Sequence, residues 1–244
     1  MRQFWLAFFF IGVIVSAPHA AFSQDLSIEL GDNGSISART VQLFALLTVL
    51  SLAPGLAIMV TCFPFLITVL SILRQAIGLQ QSPPNMLIVS LALFLTYFIM
   101  EPVFTKAWLD GVGPLTREEI DVELAFTLTL EPFRVFMAGR LDPDTFFAMA
   151  ELRPDTVAAE PTANAPLSVL VPSFMLSEIS RAFQIGFLVY LPFLIIDLVV
   201  AAILMSMGMM MVPPAVVSLP FKLGFFVIAD GWALIAGSLV RSYF

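Results

Sequence analysis

Long uncharged runs alternate with short polar breaks along most of this chain. Residues 40–73 carry no charge over 34 positions, where roughly 20 apolar residues suffice to cross a bilayer. Pro54-Gly55 and Pro64 interrupt the run. A helix there is expected to kink or break, because proline removes a backbone donor and clashes with the preceding turn. Arg74 closes the run, and residues 75–85, with Gly78 and Pro83-Pro84, read as a tight loop. A second run covers residues 86–108, with Glu101-Pro102 and Lys106 near its far end. Residues 172–190 read as a helix leading into the next apolar block. Across residues 182–221 only Asp197 is charged, over 40 positions, enough for two helices. Gly208 and Pro213-Pro214 place the break at 208–214. The third run is expected to end near residue 211, and the fourth to cover about 216–240 with Lys222 and Asp230 inside it.

The remaining sequence is polar. Residues 109–166 hold eleven Asp/Glu against four Arg and read as a solvated acidic region. Helix starts are expected at Glu131-Pro132 and at Asp142-Pro143, and residues 153–166 as a flexible loop. The first residues have the order of a secretory signal: Arg2, an apolar stretch over 4–15, then small residues up to Ala21 and Ser23. Cleavage is expected between Ser23 and Gln24; an uncleaved anchor helix is the other reading. Residues 24–39 then form a polar leader with a turn at Asp32-Asn33-Gly34. The expected organisation is a signal peptide (1–23), a periplasmic leader (24–39), a first helical hairpin (40–108), an acidic periplasmic region (109–166) and a C-terminal helical hairpin with a Met-rich tip (167–244). Alternation places the loop after Arg74 and the 209–214 turn at the cytoplasmic end. Arg74 and Lys222 inside, against Lys106 and Arg241 outside, agree weakly with the positive-inside rule.

Composition supports a membrane protein. Of 244 residues 59% are hydrophobic and 12% charged, half the usual charged share of about 25%, and the mean hydropathy is +0.98. A net charge of -7 does not suit nucleic-acid binding, which needs basic patches. The single cysteine, Cys62, forms no intramolecular disulfide, and the single histidine, His19, lies in the signal segment. Zinc and Ser-His-Asp chemistry therefore lack their ligands and base, and no phosphate-binding loop is present. No cofactor is expected. Asp197 and Asp230 could in principle form an intramembrane aspartate pair, but neither sits in a motif for that chemistry.

Three features ask for an explanation. Asp197, Lys222 and Asp230 are charges in apolar sequence, with Glu178 and Arg181 just upstream. A charge at the bilayer centre costs roughly 2.5–3.5 kcal/mol on insertion scales, so these residues should be paired or line a wet path. Pairs between helices of one chain and pairs between subunits both fit. Five methionines, Met205, Met207, Met209, Met210 and Met211, fall within seven residues. Flexible thioethers suit a deformable seal, and they are also ordinary lipid-facing residues. Proline-broken runs are tolerated at membrane depth only where protein buries them or a cavity runs beside them.

At this point the residues carry a resemblance. The block from Ala182 to Phe244, AFQIGFLVYLPFLIIDLVVAAILMSMGMMMVPPAVVSLPFKLGFFVIADGWALIAGSLVRSYF, resembles the C-terminal signature of the FliP family of flagellar and virulence-type type III secretion. LFLTYFIMEPVF at 93–104 and EPFRVFM at 131–137 are similar to its other blocks, and the signal peptide is characteristic of flagellar members. The resemblance implies an all-α polytopic membrane protein of bent helical hairpins. Several copies, five in the family, would assemble with FliQ and FliR, beside FlhB and FlhA, into a helical export gate for unfolded flagellar substrates. It implies no catalytic activity. It carries a pore gasket onto Met209, Met210 and Met211, and subunit contacts onto Glu178, Asp197 and Lys222. Arg181 and Asp230 complete the set of candidate charge contacts. The rival reading from the residues alone is a small homo-oligomeric channel or secondary transporter.

Overall fold

The computed structural model describes residues 36–79, 83–152, 159–209 and 211–244. The signal segment, its cleavage point and the Asp32-Asn33-Gly34 turn lie outside the described residues, as does Met210. Regular structure among the described residues is entirely helical. The chain divides into two units, residues 1–48 and 49–244. The described part of the first is the opening stretch of helix α1 (Ile36–Met59). All packing below belongs to the second.

Pro54 lies inside α1 and does not end it. The break comes later, at residues 60–62. Pro64 then occupies the first turn of α2 (Phe63–Ile77), where its missing N–H would have had no partner anyway. Gly78, at φ 87°, ends α2 and returns its N–H to Gln75 O, a conformation open to glycine at little cost. α2 is the core of the unit. Phe65, Leu66, Val69, Leu70, Leu73, Ala76 and Ile77 are all buried, and the helix packs on α7 (Leu167–Ser206), α3 (Asn85–Ala107) and α8 (Pro214–Ile228).

A π-helical turn, Trp108–Val112, continues α3 into the short helix α4 (Gly113–Thr116). Nothing in the sequence pattern announced it. It packs on α5 (Val122–Arg140) through Gly111, where a Cβ would fall 2.1 Å from Thr129 Oγ1 and 2.8 Å from Thr129 N. Backbone cannot move aside as a side-chain tip can. Gly111→Ala should therefore cost about 1–3 kcal/mol by overpacking. Gly139→Ala, with open space around it, should be neutral or slightly stabilising. Thermal unfolding of the detergent-extracted chain would show the contrast, and equal midpoints would contradict it.

The acidic region is more ordered than the sequence suggested. α5 starts at Val122, not at Glu131-Pro132: Asp121 caps it by accepting from Leu124 N at 3.2 Å, and Pro132 sits in its interior. α6 (Pro143–Glu151) does begin at the Asp142-Pro143 signal. Asp142 accepts from Thr145 N at 3.0 Å and from Thr145 Oγ1 at 2.7 Å. These bonds hold its carboxyl below the usual value, so this cap is present at neutral pH and lost as pH falls through that lowered value. A second buried cluster, around Phe146, Leu170 and Phe174, joins α5 and α6 to the start of α7.

Three described helical stretches are long and apolar enough to cross a membrane: Thr40–Met59, Asn85–Thr116 and Leu167–Ser206. The last has 40 residues, about 60 Å at 1.5 Å per residue, twice the roughly 30 Å hydrocarbon core. It ends at Ser206, not near residue 211. The fourth apolar run is not one helix. α8 ends at Ile228, and α9 (Gly231–Arg241) leaves at 61°, so the pair forms a fourth candidate span only if counted together. The corner is Asp230, at φ 48°.

Candidate functional site

Among the described residues no His, Cys, Asp or Glu cluster is arranged to hold a metal ion. The notable chemistry lies in two polar knots, one exposed corner and the methionine loop.

The first knot surrounds Glu178, which α7 places fully buried. Arg140 Nε, from the end of α5, reaches its Oε1 at 3.2 Å. Arg181 Nη1, one turn along α7, reaches the same oxygen at 3.5 Å. Tyr243 donates its hydroxyl to Oε2. Arg140 also donates to Ser242 O at 2.8 Å and lies 4.0 Å over the Tyr243 ring, a cation–π contact. Burial and the Glu178 charge push the Tyr243 phenol above the tyrosine range, so it stays protonated and donating. Its ring meets Phe65 of α2 edge-on and stacks on Phe136 of α5. The knot thus ties the C-terminal residues to α2, α5 and α7.

The second knot surrounds Asp197 and Lys222, both called out by the sequence. Lys222 Nζ lies 2.5 Å from Asp197 Oδ2 and donates to Ala76 O at 3.0 Å. Ala76 belongs to the last turn of α2, where unsatisfied carbonyls favour a cation. Ser218 Oγ donates to Asp197 Oδ1 at 2.6 Å. The partners are therefore helices α2, α7 and α8 of one chain. Lys222 is nearly buried, whereas the Asp197 side chain is 30% exposed. Lys222→Ala should destabilise the chain itself by up to about 3 kcal/mol, the low end for stranding a buried ion because Asp197 keeps some solvent. Lys222→Met combined with Asp197→Asn should cost less than the two single changes summed. Unfolding of the extracted variants would show this; strict additivity would mean the pair contributes nothing.

Asp230 is different. It is exposed at the α8–α9 corner, and no described residue pairs with it. Gly231 beside it lies so close to Phe226 that a Cβ would fall 2.2 Å from the ring. Asp197 and Asp230 thus occupy unlike settings, one ion-paired and one alone, which is a poor basis for an aspartate dyad.

The methionine loop joins α7 to α8. Gly208 turns it at φ 74°. Met205 and Met207 are exposed, Met209 is 38% exposed and Met211 99%. Sequence reasoning missed Arg140, Tyr243 and Ser218. Arg140 was hidden among the charges of the acidic region, and Tyr243 and Ser218 belong to residue types common on any surface. Only a buried glutamate in need of cations could have pointed to Arg140.

The family comparison agrees with the sequence blocks. The model of the FliP family matches residues 46–239. The chain is 50% identical over 230 residues to the flagellar biosynthetic protein FliP of Caulobacter vibrioides, covering 93% of this chain and 85% of the relative. It is 48% identical over 239 residues to that of Agrobacterium fabrum, covering 96% and 97%. With the Bacillus subtilis protein it shares 46% over 208 residues, covering 84% and 92%. A match of this length, over helices with these span-grade runs, means that the chain belongs to the FliP family.

Proposed function

We propose that this chain is a core subunit of the flagellar type III protein export gate, forming with other copies the channel through which unfolded flagellar proteins cross the inner membrane. The observation that carries this reading is the near full-length match to flagellar biosynthetic proteins named FliP. The span-grade helices fit an inner-membrane protein of the flagellum, and the family is not an enzyme family. The rival, a small homo-oligomeric channel or secondary transporter, explains the charges within apolar helices but not the family match.

The finer parts of the proposal follow. The mature chain begins at Gln24. Copies of it, five on the family pattern, assemble with FliQ and FliR, next to FlhB and FlhA. The acidic region, residues 109–166, stands on the periplasmic side. The length of α7 supports this: a helix of about 60 Å cannot lie within lipid when upright, and its Leu167 end, with Glu178 and Arg181, packs on α5 and α6. Met209, Met210 and Met211 form the gasket. Affinity purification of the tagged chain from mildly solubilised membranes tests the assembly. FliQ and FliR should come with it in fixed proportion. Recovery of the chain by itself, or with unrelated transporter subunits, would overturn the proposal.

A further inference from the structure

A groove of about 660 Å³ runs along one face of α2, between α7 and the start of α8. Ile67, Ser71, Arg74, Gln75 and Gly78 recur at three- and four-residue spacing, so they share that face, and Phe183 of α7 and Ala215 of α8 flank it. The two ends of the groove differ. Arg74 and Gln75 lie at the end marked by Gly78. Ile67, at the other end beside Phe183, is about 10 Å away along the helix. No Asp or Glu lines the groove. Arg74 makes no ion pair among the described residues. It gives one N–H to Asn85 Oδ1 and keeps others, because a guanidinium has five. The Ser71 hydroxyl and the Gln75 amide form no hydrogen bond among the described residues. A cation with two unused polar groups thus stands at the mouth of an otherwise apolar channel.

We infer that this groove binds an anionic phospholipid, with its phosphodiester at Arg74, Ser71 and Gln75 and one acyl chain laid along Ile67, Ile72 and Phe183. The planar fork of arginine matches two phosphate oxygens at once, and a hydroxyl and an amide add further donors. Depth fits this ligand. Asn85, the hydrogen-bond partner of Arg74, opens the candidate span Asn85–Thr116, and Ala215 lies in the first turn of Pro214–Ile228, the first half of the bent fourth span. The polar end therefore stands where the apolar helices enter the bilayer. Head groups lie at that level, and basic pockets between helices there take acidic ones. The missing carboxylate sets the sign: a choline or ethanolamine ammonium would find no partner, so a head group with net negative charge is favoured. The inference rests on the membrane placement in the proposed function and not on the export-gate assembly.

The test uses the full chain, extracted in mild detergent with whatever subunits accompany it. Phosphatidylglycerol or phosphatidylcholine is titrated in, and bound lipid is counted by mass spectrometry of the intact particle. Phosphatidylglycerol should saturate at one tight site per copy of this chain, phosphatidylcholine should bind there at least tenfold more weakly, and excess inorganic phosphate should not displace the lipid. Arg74→Gln should weaken that site at least tenfold. Ser71→Phe keeps the cation and fills the groove, and should do the same. Lys106→Gln, which removes a cation outside the groove, should leave it unchanged. In intact cells, a photo-crosslinking benzoyl-phenylalanine in place of Phe183 should capture lipid. Equal binding by the unmodified chain, Arg74→Gln and Ser71→Phe would mean that lipid coats the surface generally. Displacement by inorganic phosphate would mean a free-anion site, and capture of a second polypeptide by the crosslinker would mean a subunit contact. Each of these three results overturns the lipid site and leaves the export-gate proposal standing.

Discussion

Glu178→Ala should be among the most damaging single changes in this chain, lowering the stability of the extracted protein by about 3–5 kcal/mol, the range for stranding a buried charge. The reason is the number of groups that depend on one carboxylate. Arg140, 16% exposed, loses the one carboxylate that it meets among the described residues, and its buried Nη2 already lacks a partner. Tyr243 loses its acceptor. Arg181 is less affected, because its side chain is 35% exposed and solvent can replace the contact. Glu178→Gln keeps an acceptor for Tyr243 and should fall between wild type and alanine. Tyr243→Phe keeps the ring contacts with Phe65 and Phe136 and removes one hydrogen bond to a charged group, so about 1.5–3 kcal/mol is expected. Thermal unfolding in detergent would rank the four proteins. An alanine variant as stable as wild type would mean that the C-terminal residues are not held through this knot.

Replacing Met209, Met210 and Met211 together by alanine should open a leak while assembly stays largely intact. In the α7–α8 loop Met211 is almost fully exposed and Met209 is 38% exposed, and the two backbone hydrogen bonds of Met209 survive an alanine side chain. If several copies surround one axis, these loops converge, and their thioethers form an apolar ring that excludes hydrated ions by dewetting. Methionine has three rotatable bonds and nothing to hydrogen-bond, so such a ring can part around a passing chain of any sequence. Alanine shortens each side chain and leaves a gap. Conductance of cells, or of reconstituted complexes, should rise in the triple variant. An assembled complex that remains sealed would remove the gasket from the account.

Much of this was legible in the sequence because apolar run length is a strong signal. The run at 86–108 became α3, Asn85–Ala107, and the Gly208 to Pro214 punctuation became the loop between α7 and α8. Prolines were the main source of error. Pro54 was expected to kink or break its helix and does not break it, and Pro132 was expected to start a helix, yet both lie inside helices. A proline removes one backbone bond, and packing or a cap elsewhere decides where the helix ends; at α5 the Asp121 cap decided it. The corner at Asp230 was missed for the opposite reason. Residues 216–240 contain no proline beyond Pro220, and a left-handed aspartate has no apolar periodicity to disturb. The need of Asp197 and Lys222 for partners followed from their charge alone. Their pairing across 25 positions required the fold, as did the closing of Arg140 and Tyr243 on Glu178 from opposite ends of the C-terminal half.

Secretion of hook and filament proteins into the medium, measured in cells lacking this chain and in the same cells with it restored, tests the central claim most directly. The account predicts that export and motility are lost without the chain and recovered with it, while other inner-membrane transport is unaffected. Undiminished export of these proteins in the deletion strain would contradict it.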